Sequence, residues 1–139
     1  GVIMKKVVKF GGSSLANAEQ FQKVGDIIRS DESRRYVVPS APGKRFDEDI
    51  KVTDMLYGCY DAASKGEDIT EKINAIKARY YEIIKGLGLS LSLEEEFKKI
   101  DEDFRAQAGI QYGRHPEESS SMVRSWLHIL DMILWMQLL

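Results

Sequence analysis

Cysteine and histidine are nearly missing from this sequence, and so is any excess of charge. A single cysteine, Cys59, excludes an internal disulfide and suits a reducing compartment. It falls in an apolar pattern of helical spacing, where a buried inert thiol is expected rather than a nucleophile. Two histidines, His115 and His128, are too few and too far apart to make a metal cluster by themselves. With 22 acidic against 20 basic side chains the net charge is −2. That balance gives no reason to expect a nucleic acid or an anionic membrane as partner. No basic stretch followed by a long apolar core opens the chain, so no signal peptide is expected, and Gly1–Ile3 read as an upstream extension. The 139 residues suit one soluble globular domain or part of a larger one.

What is present is concentrated in Lys9-Phe10-Gly11-Gly12-Ser13-Ser14. This run follows the apolar pair Val7-Val8 and precedes a helical pattern that begins near Leu15. The order is strand, glycine turn, helix N-terminus. Adjacent glycines let a backbone approach a ligand closely. The helix start adds unpaired N–H groups and the positive end of the dipole. Lys9 adds a full charge, so the arrangement suits phosphate. It is neither a Walker A loop, which places lysine after the glycines, nor a dinucleotide fingerprint, which needs a third glycine. A plain strand-to-helix turn is the competing reading.

Lys5–Phe10 reads as a buried parallel strand, and Leu15–Arg29 as a helix with Ser13 or Ser14 as cap. After the polar break at 30–33, Arg35–Pro39 reads as a second strand, returning parallel to the first. Ser40-Ala41-Pro42-Gly43-Lys44-Arg45 then lies at the same carboxyl edge of the sheet as the first turn, where ligands of open α/β sheets sit. An ordinary turn is the alternative for Pro42-Gly43, and Lys44 and Arg45 are expected to be solvated. The acidic run Asp47-Glu48-Asp49 reads as a solvated loop ahead of a helix. Helices are predicted from Val52, from about Ile69 to Gly86, and over about 92–108. Thr53 stands in the first turn of one of them, where a hydroxyl can cap or bind.

Three stretches, Lys9–Ser14, Val37–Lys44 and Lys51–Leu56, resemble in order and spacing the N-terminal signatures of aspartokinases, members of the amino-acid kinase family. The resemblance runs from Met4 to about Gly113. It implies an α/β fold, a parallel-sheet three-layer sandwich of the amino-acid kinase type, here incomplete and carrying a helical insertion. It implies transfer of the γ-phosphoryl of ATP, carrying Mg2+, to the side-chain carboxylate of L-aspartate, the first step of lysine, threonine and methionine biosynthesis. Lys9 would be the catalytic cation. Phe10, Gly11, Gly12 and Ser13 would join Lys9 in binding the ATP phosphates, and Ser40 and Thr53 would contact aspartate. No metal ligand is assigned to the protein. The resemblance also implies a cytoplasmic enzyme and, for intact members, homo-oligomers.

The last quarter departs from that pattern. After Gly113-Arg114 the family carries a Ser-Arg-Gly-Glu-like segment, whereas this chain reads His115-Pro116-Glu117-Glu118. The family glutamate is therefore not transferred to Glu117 or Glu118. Residues Met122–Leu139 are apolar almost all round, yet short of the roughly 20 apolar residues that span a bilayer. Residues 4–114 are thus expected to be the N-terminal part of a kinase domain, and 115–139 an atypical, exposed tail, with a shifted reading frame as one origin. A truncated, inactive chain is expected. The alternatives are another phosphotransferase of the same fold, or a non-catalytic interaction module whose tail docks on a partner.

Overall fold

The computed structural model describes residues 4–109 and 116–139, with side chains from 120 onward in the second segment. The boundary expected at 114/115, and His115, lie outside the described residues. Strand β1 (Lys6–Phe10) leads through a 3₁₀ turn, Gly12–Leu15, into helix α1 (Ala18–Arg29). Strand β2 (Arg34–Pro39) returns parallel to β1, pairing Val8 with Val37 and Phe10 with Pro39. Four helices follow: α2 (Val52–Ser64), α3 (Thr70–Gly86), α4 (Glu94–Arg105) and α5 (Pro116–Leu138).

The expectation of a buried first strand is corrected. Val8 and Phe10 turn toward the helices, but Val7 is 69% exposed, and Tyr36 and Val38 on the same outer face are also exposed. Successive residues of a strand point to opposite faces, so covering one face of a two-stranded sheet buries only alternate side chains. The helix start is corrected too. Neither Ser13 nor Ser14 caps α1; the Asn17 side chain accepts from the Gln20 amide, and the 3₁₀ turn intervenes. That turn drives Leu15 fully into the core.

The core is mainly helical. Phe21 of α1 stacks on Trp135 of α5 with ring centroids 5.1 Å apart. Tyr60 meets Phe104 edge-on, and Tyr80 meets Phe97 in the same manner. Such geometries suit the ring quadrupoles. Gly86, the last residue of α3, lets α1 approach so closely that a Cβ there would lie 2.4 Å from the Ala18 Cβ.

The final helix is not an exposed apolar tail. Val123, Leu127, Leu130, Leu134 and Trp135 are buried against the body of the protein, while Met132, Met136 and Leu139 face outward. Spacings of three and four residues assemble one stripe. No described helix is long and apolar enough to cross a membrane. Leu134→Ala is expected to cost about 2–5 kcal/mol of stability. Met136→Ala, at a site 72% exposed, is expected to change it by less than about 0.5 kcal/mol. Urea unfolding of the two variants separates a docked helix from a loose one.

Candidate functional site: two backbone turns and a cleft at the strand ends

Both strands end in turns that touch. The Ser40 amide donates to the Phe10 carbonyl at 3.0 Å, one step beyond the ladder. The Gly43 amide then donates to the Gly12 carbonyl at 2.9 Å. The contact leaves no room for a side chain: a Cβ on Gly43 would sit 2.4 Å from the Gly12 carbonyl carbon and 2.9 Å from the Ser13 amide nitrogen. Pro42-Gly43 is therefore not an ordinary surface turn; both residues are buried.

The Ser14 amide donates to the Gly11 carbonyl at 3.0 Å, closing the turn on itself. Among the described residues, the Gly11 and Gly12 amides have no acceptor. Gly11 and Ser13 are exposed and Gly12 is half-buried. Lys9 is exposed on the outer face of the sheet, opposite the register position of Val38, and forms no ion pair with a described residue. Phe10 packs against the core, so its contribution to this edge is its main chain.

Ser40 and Thr53 come together in a cleft of about 750 Å³. Residues Val37–Ala41 form one wall and α5 the other, through Arg124, His128, Asp131 and Trp135. Thr53 does not cap α2; the cap position is Lys51, with no side-chain bond. Lys9, Gly11, Gly12 and Ser13 do not line this cleft. The structure thus groups the expected site residues into two sets on consecutive segments, a glycine turn and a cleft.

The acidic run is corrected at one residue. Asp49 is not solvated: its side chain is 9% exposed and accepts from the Arg45 backbone amide and from Nε and Nη2 of Arg45, at 2.7–3.0 Å. The Arg45 guanidinium, foremost, holds the Asp49 carboxyl well below the usual carboxylate range. Arg45 is therefore committed to this fork and to Glu82 at 3.2 Å rather than free in solvent. Cys59 is fully buried, and burial pushes its thiol up to about 11, as expected of an inert position.

No protein-family model matches the chain. It is 45% identical to Aspartokinase 3 of Bacillus subtilis over 93 residues, 67% of this chain and 20% of that protein. It is 29% identical to Lysine-sensitive aspartokinase 3 of Escherichia coli over 102 residues, 73% of this chain and 21% of that one. The solved aspartate kinase of Clostridium acetobutylicum is 34% identical, with a TM-score of 0.81 over 96% of this chain and 28% of its own. The chain is an aspartokinase homologue. It spans about a fifth of the length of the curated aspartokinases it matches. The expected fold, an incomplete α/β sandwich, holds: a small parallel sheet packs one face against helices. The relatives it matches are aspartate kinases by name.

Two ionisable residues of this aspartokinase homologue carry more than their sequence context signals. Arg79 sits on the apolar stripe of α3 between Ile76 and Ile83 and is 4% exposed. Its only trace in the sequence is a charge at a helical phase otherwise occupied by isoleucine. Asp131 of α5 is 7% exposed and accepts from the Tyr80 hydroxyl at 3.0 Å. Burial pushes its carboxyl up to about 7, against the opposing effect of the Tyr80 hydrogen bond. A raised carboxyl pKa means that the folded state holds a proton the unfolded chain releases, so this contribution to stability falls as pH rises from about 4 to 7. Asp131→Asn, neutral at every pH, is expected to gain stability relative to the parent between pH 5 and pH 8. An unchanged difference in urea midpoints at the two pH values would contradict a charge penalty at Asp131.

Proposed function

We propose that this chain forms the part of an aspartate kinase that holds the terminal phosphates of MgATP and the side-chain carboxylate of L-aspartate. The observation that carries this reading is the pair of unpartnered amides at Gly11 and Gly12, set between Lys9 and a second turn whose strand leads into the cleft holding Ser40 and Thr53. Kinship with the aspartokinases supports aspartate and ATP as the substrates in this reading.

In this reading the Lys9 ammonium and the amides of Gly11 and Gly12, with Ser13 beside them, bind the phosphates at the first turn. The free amides and the room left by glycine at this edge fit a phosphate group. Mg2+ arrives with the nucleotide, and none of the proposed contact residues is a carboxylate. Ser40 and Thr53 hydroxyls hold aspartate. A carboxylate oxygen of aspartate attacks the γ-phosphorus while the bond to the bridging oxygen breaks. That oxygen leaves on ADP with the bonding pair, and the product is 4-phospho-L-aspartate, an acyl phosphate. The attacking carboxylate is already ionised, so no base has to remove a proton. Catalysis is then positioning and neutralisation of charge spread over the phosphoryl oxygens. The corresponding setting is a cytoplasmic enzyme of amino-acid biosynthesis, including the lysine branch. Intact relatives are proposed to act as homo-oligomers.

Lys9→Ala should weaken MgATP binding by about 1.5–3 kcal/mol, the loss of a charged hydrogen bond. The unfolding midpoint should barely move, because Lys9 is exposed. Calorimetric titration of both proteins tests this; equal affinities would remove the phosphate role of Lys9. For the 139 residues alone, a coupled ADP-release assay with L-aspartate is expected to show no turnover, since they span a fifth of the curated aspartokinases. Measurable turnover would overturn that expectation.

A further inference from the structure

Arg79 touches neither the cleft nor any group assigned to a substrate, yet it is a cation removed from water. Burying a charge is costly unless its donors are used. Here both terminal nitrogens are used on main-chain oxygens of another segment. Nη2 donates to the Gly43 carbonyl at 2.7 Å, and Nη1 donates to the Ile50 carbonyl at 2.8 Å. Asp49 lies 3.4 Å from Nη1, and the Val52 amide closes the loop by donating to the Pro42 carbonyl at 3.0 Å. The guanidinium fork thus grips both ends of the 43–50 loop.

One end of that grip reaches the phosphate turn through a single residue. The Gly43 carbonyl is held by Arg79, and the Gly43 amide holds the Gly12 carbonyl. No Cβ cushions the contact, so a displacement of Gly43 passes directly to Gly12 and Ser13. We propose that Arg79 is a positioning residue for the Gly11–Gly12 turn, acting from α3 through Gly43 to keep the two amides aimed at a terminal phosphate. The proposal rests on the reading of that turn as a phosphate site. Lysine cannot substitute: its ammonium is one point donor on a flexible stem, whereas two carbonyls at separate places need a planar fork.

The test uses the whole 139-residue protein, with inorganic tripolyphosphate as probe and the amide resonances of Gly11 and Gly12 as reporters. Arg79→Lys keeps the buried charge and removes the fork. Gly43→Ala keeps Arg79 and disturbs the link itself. Ile100→Val, a core truncation in α4, controls for general loosening. In the absence of ligand, both link variants are expected to shift the Gly11 and Gly12 resonances, and Ile100→Val is not. Tripolyphosphate affinity should fall about tenfold in both link variants, the scale of one lost hydrogen bond. Unmoved resonances in both Arg79→Lys and Gly43→Ala overturn the proposal. If the resonances move but the parent protein does not bind tripolyphosphate, the coupling stands and the phosphate reading fails.

Discussion

Two backbone turns pressed together without side chains between them constrain everything at the strand ends. The Gly43 amide has to meet the Gly12 carbonyl at hydrogen-bond distance, and the peptide planes are too close for a Cβ. A hydrogen bond of this kind is worth only about 1 kcal/mol net, too little to hold two loops unaided. The remainder comes from the buried fork of Arg79 and from Arg45 locked on Asp49. Leaving a polar group buried without a partner costs more than making its bond gains. The loop therefore keeps its shape because any other shape strands a carbonyl or a guanidinium.

The helices supply the rigid frame for that edge. α3 carries Arg79 toward the loop and Tyr80 toward α5, so neighbouring residues on one helix reach two different regions. α5 in turn closes one wall of the cleft that contains Ser40 and Thr53. Its Trp135 stacks on Phe21, and Arg29 reaches the Leu138 carbonyl at 3.3 Å, so α1 and α5 are joined at two points. The likeness to a solved aspartate kinase spans 96% of the chain and so reaches into this last helix. Its apolar residues, which look uniform when read along the chain, divide into a buried stripe and an exposed one once the helix has a neighbour.

Most element types were legible because hydrophobic periodicity is a local property. The helices from Val52, around Ile69–Gly86 and around 92–108 lie where apolar spacing places them, within a few residues. The glycine turn after Val7-Val8 and the parallel return of the second strand were legible for the same reason. Most of the differences lie where a residue's environment comes from a distant segment. Asp49 looks solvated until Arg45 folds back on it and Arg79 arrives from α3. Ser13 looks like a helix cap until a 3₁₀ turn moves the true start to Asn17. The first strand looks buried until the sheet proves to have one covered face among the described residues.

The order of strand, glycine turn and helix, the lone cysteine and the likeness to aspartokinases were all determined by the sequence itself. They depend on neighbours within a few positions, or on residue identities that can be matched directly. Tertiary structure alone decided that Gly43 meets Gly12, that Arg79 grips the loop and that Asp131 is buried beside Tyr80. Each of those joins groups from segments far apart in the chain. Burial and partner choice, which govern what a charge costs and what a backbone amide can do, exist only once those segments have packed.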